Sequence, residues 1–367
     1  MKPVGMQALA VAFPETVRTN DWLRRNFPEV VARAEQERLA EVWSEDSLGP
    51  DEDVSYARPF RKHLVDPFRG TVERRVLAPG AKSLELEVEA ANRALAAAGA
   101  SAADIDLILM CSFQPDQPGI GNAAYLAKAL GTRCAAWNLE AACTSATVAF
   151  QTASSLVRAG EAHRVLVVVS VSYSRTTTPD DTFGWFLGDG CIAFVVGSQP
   201  EGYGYLGSHM INTSDTCGTF WYRMVHDEQR GAWMTIENDP SAGSVLRETA
   251  APNLRTCVHG AAEAAGVGLP DIDFFVFNTP TAWYSSFCAD TLGIPRSKTI
   301  DNYPLYANIG PCLWATNLHH AAARKMIAKD DLVVVYSVGS VSMAGAIVMR
   351  WGDVGLGPMP EPGVPEA

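Results

Sequence analysis

The chain has 367 residues, of which 47% are hydrophobic and 19% are charged, and its formal net charge is -12. This composition predicts a globular protein that is long enough for one large domain or two ordinary ones. The negative charge argues against non-specific nucleic-acid binding, which requires a basic face. No apolar run reaches the roughly 18 residues that span a bilayer. We therefore expect a cytoplasmic protein that binds neither nucleic acid nor a membrane.

Cysteine usage indicates a reducing compartment. The eight cysteines include no CxxC pair and no Cys/His cluster at zinc-ligand spacing, so we expect neither a disulfide framework nor a metal site. They are scattered along the chain at positions 111, 134, 143, 191, 217, 257, 288 and 312.

The first predicted feature in chain order is a charged stretch over residues 27–69. It lacks strand alternation and predicts an insertion or cap attached to the first half of the chain. Arg69, Arg74 and Arg75 follow in the segment PFRGTVERR, where an anionic carrier protein or coenzyme A could dock. Solvated surface arginines are the alternative interpretation. A helix is then predicted over Ser83–Ala98.

An internal repeat divides the chain into two related halves. Residues 94–110, ALAAAGASAADIDLILM, match residues 261–277, AAEAAGVGLPDIDFFVF, at an offset of 167. At the same offset, the β-branched run at 164–172 falls on 331–339, and both runs are typical of strands buried on two faces. The repeat predicts two fused α/β halves whose sheets pack through central helices.

The repeat sets the expected domain organisation. We expect an N-terminal half over residues 1–200 and a C-terminal half over residues 201–353. The remaining residues, 354–367, are rich in proline, glycine and acidic residues, and we expect them to form a flexible tail with nothing to pack against.

Cys143 is the candidate nucleophile. It stands in WNLEAACTSATVAF, directly before a predicted helix over Ser145–Ala159 that ends near Gly160. Unpaired N–H groups and the positive end of the helix dipole favour a thiolate at such a position. A buried core cysteine is the alternative.

The segment around Cys143 resembles the nucleophile segment of ketoacyl-ACP synthase III and its thiolase-fold relatives. The shared features are N-x-x-A-A-C before an apolar helix, then GDGCIAFVVG at Gly188–Gly197, an Asn in a loop at Asn308, and the closing GSVSMAGAIVMRW. The resemblance covers roughly Phe68 to Trp351. It implies a thiolase-like fold with two duplicated halves in an α-β-α-β-α order, and a homodimer.

The resemblance also implies roles for individual residues. Cys143 would carry an acyl group as a thioester, and Asn308 matches the family's active-site Asn. The position of the family's catalytic His holds Asn278, a departure, because Asn can donate a hydrogen bond but cannot take a proton near neutral pH. The oxyanion hole would consist of the backbone N–H groups of Cys143 and of Ser340 or Val341, in a loop bulkier than the family's glycine-rich one.

Two parts of the expected site stay open in the sequence. A replacement base is not evident, and His226, His319 and His320 are the candidates, although exposed positions are the alternative for each. Thr216–Trp233 is rich in aromatic residues and could line an acyl pocket, with ordinary packing as the alternative.

The resemblance leads to three functional hypotheses. The first is an acyltransferase of fatty acid or polyketide-type specialised metabolism, which loads an acyl group from acyl-CoA or acyl-ACP onto Cys143 and passes it to an acceptor without any further cofactor. The second is decarboxylative carbon–carbon condensation with Asn278 and Asn308 as neutral oxyanion donors. The third is a catalytically degenerate partner subunit.

Overall fold

The structure is a computed structural model that describes residues 2–37, 54–228, 231–339 and 341–366. Its helices are α1 Asn20–Asn26, α2 Pro28–Glu37, α3 Val54–Arg61, α4 Ser83–Ala97, α5 Ala123–Ala129, α6 Ser145–Ala159, α7 Ala242–Ala265, α8 Tyr284–Leu292, α9 Tyr303–Tyr306 and α10 Leu313–Ala323. Its strands are β1 Val4–Ala12, β2 Thr16–Thr19, β3 Glu73–Arg75, β4 Leu107–Phe113, β5 Ala135–Asn138, β6 Arg164–Ser172, β7 Asp189–Ser198, β8 Gly204–Asn212, β9 Phe220–Asp227, β10 Gly231–Asn238, β11 Phe274–Phe277, β12 Leu332–Gly339, β13 Met343–Arg350, β14 Gly355–Leu356 and β15 Val364–Pro365.

Five layers build the core. One sheet has the strand order β14-β1-β7-β6-β4-β5, and the other has the order β11-β12-β13-β8. Helices α4 and α5 cover the outer face of the first sheet, and α7 and α8 cover the outer face of the second. Helices α6 and α10 lie between the two sheets and bury the apolar inner faces of both. The predicted α-β-α-β-α architecture is confirmed.

The repeat seen in the sequence corresponds to equivalent strands of the two sheets. Strand β11 begins 167 residues after β4, and every residue of the two strands is buried except Phe113, which is half-buried. Strand β12 begins 168 residues after β6, and neither has an exposed residue. Such strands need apolar side chains on both faces because helices cover both sides of each sheet. The predicted helices over 83–98 and 145–159 also form, the second ending at Gly160 with a left-handed φ of 82°.

The prediction of a flexible C-terminal tail is wrong. Gly355–Leu356 pairs in parallel with β1, and Val364–Pro365 pairs in parallel with β2. The Glu366 carboxylate lies 2.6 Å from the Arg18 guanidinium. Composition misleads here because an edge strand offers its backbone N–H and C=O groups to any extended segment, whatever that segment's side chains. The first sheet therefore takes its edge strand from residues beyond 353.

The segment 27–69 contacts the second half as well as the first. Phe60 of α3 stacks on Trp283, with ring centroids 4.2 Å apart, and is buried in the cluster outside the second sheet. Part of the predicted insertion, residues 38–53, lies outside the described residues. The predicted insertion in the first half therefore also packs against the second half. No helix in the parts of the chain that the structure describes is long and apolar enough to cross a membrane.

Candidate active site

A tight turn presents Cys143 at the start of α6. Its backbone is strained, because Ala142 adopts a left-handed φ of 50°, which is unusual for a residue with a Cβ atom. The Ser145 side chain stabilises the turn with two hydrogen bonds. Its Oγ accepts one from the Ala141 N–H at 2.8 Å and donates one to the Ala142 carbonyl at 2.7 Å. The fold thus fixes the position of the Cys143 side chain.

The Cys143 thiol is not the preformed thiolate that its helix position led us to expect. Burial raises its pKa to about 11, although a hydrogen bond with the Tyr173 hydroxyl, 3.9 Å away, and the residue's own N–H act in the opposite direction. Desolvation disfavours the charged form more strongly than these dipoles favour it. At neutral pH the sulfur therefore carries its proton, and a proton acceptor or a bound substrate must promote ionisation.

A cavity of about 400 Å³ opens in front of Cys143, a size within the usual range for small-molecule sites. Thr216, Phe220 and Tyr222 contribute to its wall, so the aromatic segment 216–233 does line a pocket. Most of the wall is apolar and includes Phe113, Phe183, Phe186, Phe220, Ile236 and Leu246. Such a wall suits a hydrocarbon or aromatic group.

Asn308 lines the same cavity as Cys143. Its side-chain oxygen accepts a hydrogen bond from the Gly310 N–H at 2.8 Å, and its backbone N–H donates to the Phe186 carbonyl at 2.8 Å. With the amide oxygen engaged, the NH₂ group remains as the donor to a ligand. The structure therefore brings Cys143 and Asn308 together, as the sequence predicted.

Asn278 follows β11 as predicted, but it is not part of the cavity wall. Its side chain is fully buried, and neither amide atom has a hydrogen-bond partner among the described residues. Pro280 and Thr281 of the same loop reach the cavity instead. The catalytic role assigned to Asn278 stays a prediction, and a shift of this loop would be needed for it.

The C-terminal loop approaches the nucleophile turn closely. Val341 lines the cavity, whereas Ser340, the other predicted oxyanion residue, lies outside the described residues. The Thr144 hydroxyl donates to the Met343 carbonyl at 2.9 Å and so ties the turn to this loop. The prediction that the Cys143 and Val341 N–H groups together form the oxyanion hole stays a prediction. Both residues line the same cavity, which is compatible with that role.

Position 339 must be a glycine because the C-terminal loop passes so close to the nucleophile turn. A Cβ atom at Gly339 would lie 2.9 Å from the Thr144 hydroxyl and 3.1 Å from the Ala141 carbonyl. We expect Gly339→Ala to lower the free energy of unfolding by about 1–3 kcal/mol, the usual cost of overpacking. Gly268→Ala, whose nearest neighbour is 3.3 Å away, should change it by less than about 0.5 kcal/mol. Urea unfolding of both variants measures this, and equal effects would contradict the close approach.

The predicted docking role of Arg69 and Arg74 is wrong. Both are almost fully buried. Arg69 donates to the Leu64 carbonyl at 2.9 Å and to the Asp66 carbonyl at 2.5 Å, and Arg74 donates to the Trp185 carbonyl at 2.8 Å. These guanidinium groups satisfy backbone carbonyls within the fold and do not face a carrier or coenzyme.

None of the three candidate histidines lines the cavity. His319 and His320 are buried on α10 rather than exposed: the first contacts the Gly357 carbonyl at 3.0 Å and the second the Tyr306 hydroxyl at 3.1 Å. His226 lies on β9. Among the described residues, no group of three or more His, Cys, Asp or Glu side chains could hold a metal ion.

Glu140 is a site residue that the sequence reasoning missed. It lines the cavity, where its carboxylate accepts weak hydrogen bonds from the Ser112 N–H at 3.3 Å and the Cys111 thiol at 3.4 Å. Its side chain is exposed by accessible surface, yet desolvation by the surrounding cavity wall raises its pKa to about 7. The available signal was a carboxylate three residues before Cys143, in a motif otherwise made of small and apolar residues.

Tyr173 and Tyr222 were also missed. Tyr173 follows the last residue of β6, and Tyr222 comes from β9. Both line the cavity together with Gln114. A position just beyond the end of a buried strand was the signal for Tyr173, whereas nothing local distinguished Tyr222 from its aromatic neighbours.

Family models match two parts of the chain. The model for 3-oxoacyl-(acyl-carrier-protein) synthase III matches residues 137–225, and the model for its C-terminal part matches residues 262–351. The beta-ketoacyl-(acyl-carrier-protein) synthase III of Porphyra purpurea is 27% identical over 311 residues, which cover 79% of this chain and 90% of the relative. A Streptomyces coelicolor protein of the same name is 27% identical over 296 residues, covering 77% and 87%.

Solved structures are similar over nearly the whole chain. The synthase III of Thermus thermophilus has a TM-score of 0.76 at 23% identity and covers 95% of this chain and 99% of its own. Cerulenin-bound OleA of Xanthomonas campestris has a TM-score of 0.76 at 17% identity and covers 96% and 98%. At these identities the likeness concerns the fold, and the predicted thiolase-like fold is confirmed.

Proposed function

Because the chain is similar to ketoacyl-ACP synthase III in sequence and has a thiolase-like fold, we propose that it takes an acyl group from an acyl-CoA or acyl-ACP thioester onto Cys143 and transfers it to an acceptor. The observation that carries this proposal is the placement of Cys143 in a strained turn beside an apolar cavity that Asn308 also lines. The names of the relatives support an acyl-carrier thioester as the donor. The fatty acid or polyketide-type setting of the reaction is part of the proposal.

The proposed reaction has two steps. In loading, the Cys143 sulfur attacks the donor carbonyl carbon, and the donor thiol leaves with the proton that the cysteine loses. In transfer, the acceptor attacks the acyl carbon, the C–S bond breaks, and the acceptor's proton goes to a base. The NH₂ group of Asn308 and the backbone N–H groups of Cys143 and Ser340 or Val341 stabilise the oxyanion. No cofactor beyond the donor's own carrier is required.

Glu140 is the proposed proton acceptor in transfer. It is the single carboxylate among the described residues that line the cavity, and no histidine lies there. A base is most effective when its pKa is near the working pH, and the pKa of Glu140, about 7, meets this condition. This residue would supply the function that Asn278 cannot.

Decarboxylative condensation is the second candidate, and the relatives' names favour it. It would need hydrogen-bond donors around the carbonyl of the extender. Asn308 is in place, but Asn278 lies outside the cavity wall, which favours acyl transfer. The degenerate partner subunit is the third candidate, and the well-ordered nucleophile turn argues against it.

A cytoplasmic homodimer is also proposed. Strand β5 lies at the edge of the first sheet with Trp137 44% exposed, and Ile120 and Tyr125 nearby are exposed as well. An unpaired edge with large exposed apolar side chains is typical of a surface that another chain covers.

Intact-protein mass spectrometry tests the proposed function. The protein would be incubated with short, branched and aromatic acyl-CoA and acyl-ACP thioesters, and peptide mapping would locate any added mass. We expect one acyl group per chain, on the peptide that carries Cys143. Release of CO₂ from malonyl thioesters would favour condensation instead. No adduct with any donor, on a cysteine that still alkylates, would favour the partner-subunit hypothesis.

A further inference from the structure

The side chain closest to the Cys143 sulfur in the described hydrogen-bond network is a phenol. The Tyr173 hydroxyl is 3.9 Å from Sγ, within the range of hydrogen bonds to sulfur. The Tyr173 side chain is 4% exposed, and a Cβ atom at Gly310 would come within 2.9 Å of its hydroxyl. The loop that carries Asn308 therefore packs directly on this hydroxyl and fixes its position.

Two further polar side chains line the same cavity. Tyr222 of β9 and Gln114 belong to its wall together with Tyr173 and Cys143. The Gln114 side-chain oxygen accepts a hydrogen bond at 3.3 Å from the N–H of Ser172, the residue directly before Tyr173. This hydrogen bond helps to hold the segment that carries Tyr173.

The charge state of the Cys143 sulfur fixes the direction of its hydrogen bond with Tyr173. While Cys143 is a thiol, either atom can donate. A thiolate has no hydrogen and can only accept, so in the reactive state the Tyr173 hydroxyl donates to the Cys143 sulfur.

We infer that Tyr173 is a catalytic hydrogen-bond donor to the Cys143 sulfur, held in place by its packing against the loop that carries Asn308. It stabilises the thiolate that attacks in loading and the thiolate that leaves in transfer, so the assignment rests on the proposed function. Tyr173 keeps its proton in both steps. The proton of the thiol leaves with the donor's thiol, and the proton of the acceptor goes to the base.

The electrostatics of the site agree with this assignment. Burial, together with the charge of a Cys143 thiolate, raises the pKa of Tyr173 well above its usual value, so the phenol stays neutral. A neutral phenol can donate but cannot act as a base near neutral pH. The other titratable groups around Cys143 are Tyr222 from β9, Glu140 in the preceding segment and Cys312 at the start of α10.

Alkylation of Cys143 by iodoacetamide tests the inference without any acyl donor. The rate constant would be measured by peptide mapping between about pH 7 and 9. Because the thiolate reacts and a hydrogen bond to a charged group is worth one to two pKa units, Tyr173→Phe should react about 10–100-fold more slowly. Phenylalanine is no larger than tyrosine, so a slower reaction cannot come from steric blocking.

The control is Tyr203→Phe, a surface change far from Cys143, which should leave the alkylation rate unchanged. Circular dichroism would check folding, and if Tyr173→Phe does not fold, Tyr173→Met, which also lacks the hydroxyl, replaces it. An unchanged or faster reaction in a folded Tyr173 variant would overturn the inference. If alkylation slows as expected but no donor acylates wild-type Cys143, the proposed function fails while the hydrogen bond stands.

Discussion

Replacing Cys143 by alanine should abolish the acyl adduct and lower the acyl-transfer rate by about 10⁴-fold or more, as removal of a nucleophile does in other enzymes with covalent intermediates. The reason is geometric. The turn that Ala142 and Ser145 fix presents this one sulfur to the cavity beside Asn308, and the hydrogen bond from Tyr173 ends on it. Water or another side chain cannot form the thioester in its place.

The matched control is Cys134→Ala, which removes another partly exposed thiol away from the cavity. It should load acyl groups at the wild-type rate. The exposed Cys217 remains in both variants, so any mass gain in Cys143→Ala reports non-enzymatic acylation. Adducts of equal yield in wild type and in Cys143→Ala would contradict Cys143 as the nucleophile.

Glu140→Gln should slow acyl transfer by about 10²–10⁴-fold, the usual contribution of a general base. In the wild type the pKa of Glu140 is raised to about 7 by desolvation, so the carboxylate that accepts a proton predominates only above that pH. The transfer rate should therefore rise with pH through about 7 and then level off. Glutamine has the same shape and cannot accept the proton, so this rise should disappear in the variant.

The measurement isolates the second step. Acyl-Cys143 would be prepared with whichever thioester loads the wild type, freed of donor, and its decay by transfer to water would be followed by mass spectrometry across the pH range. Glu201→Gln, at an exposed surface position, should behave as wild type. Loading that slows while decay is unchanged in Glu140→Gln would instead assign Glu140 to the ionisation of Cys143.

Some site residues could be predicted because their signal is local. Cys143 directly precedes an apolar helix, and Asn308 stands in a loop motif, so a short stretch of sequence carries each signal. Arg69 and Arg74 show the opposite case. Their charge suggested an exposed docking patch, but the Trp185 carbonyl, 111 residues from Arg74 along the chain, helps to bury one of them. Residue type alone does not reveal such a distant partner.

The prediction of a flexible C-terminal tail failed for a related reason. The composition of residues 354–367 indicates how poorly their side chains can pack, but it carries no information about backbone pairing. The backbone of this tail pairs with β1 and β2, strands near the opposite end of the chain. Whether an edge strand is free to accept a partner is a property of the assembled sheet.

The sequence by itself was enough to predict the layered fold and to single out Cys143 as the candidate nucleophile. Strands buried on two faces need continuous apolar runs, and the duplication repeats those runs at a constant offset. The strands and the repeat can therefore be recognised from the residue sequence alone. Only the tertiary structure decided which groups surround the Cys143 sulfur. Tyr173, Tyr222 and Glu140 meet there because strands, a hairpin and a turn end at one cavity. Their ionisation depends on how much water that cavity excludes, and exclusion of water exists only once the chain has folded.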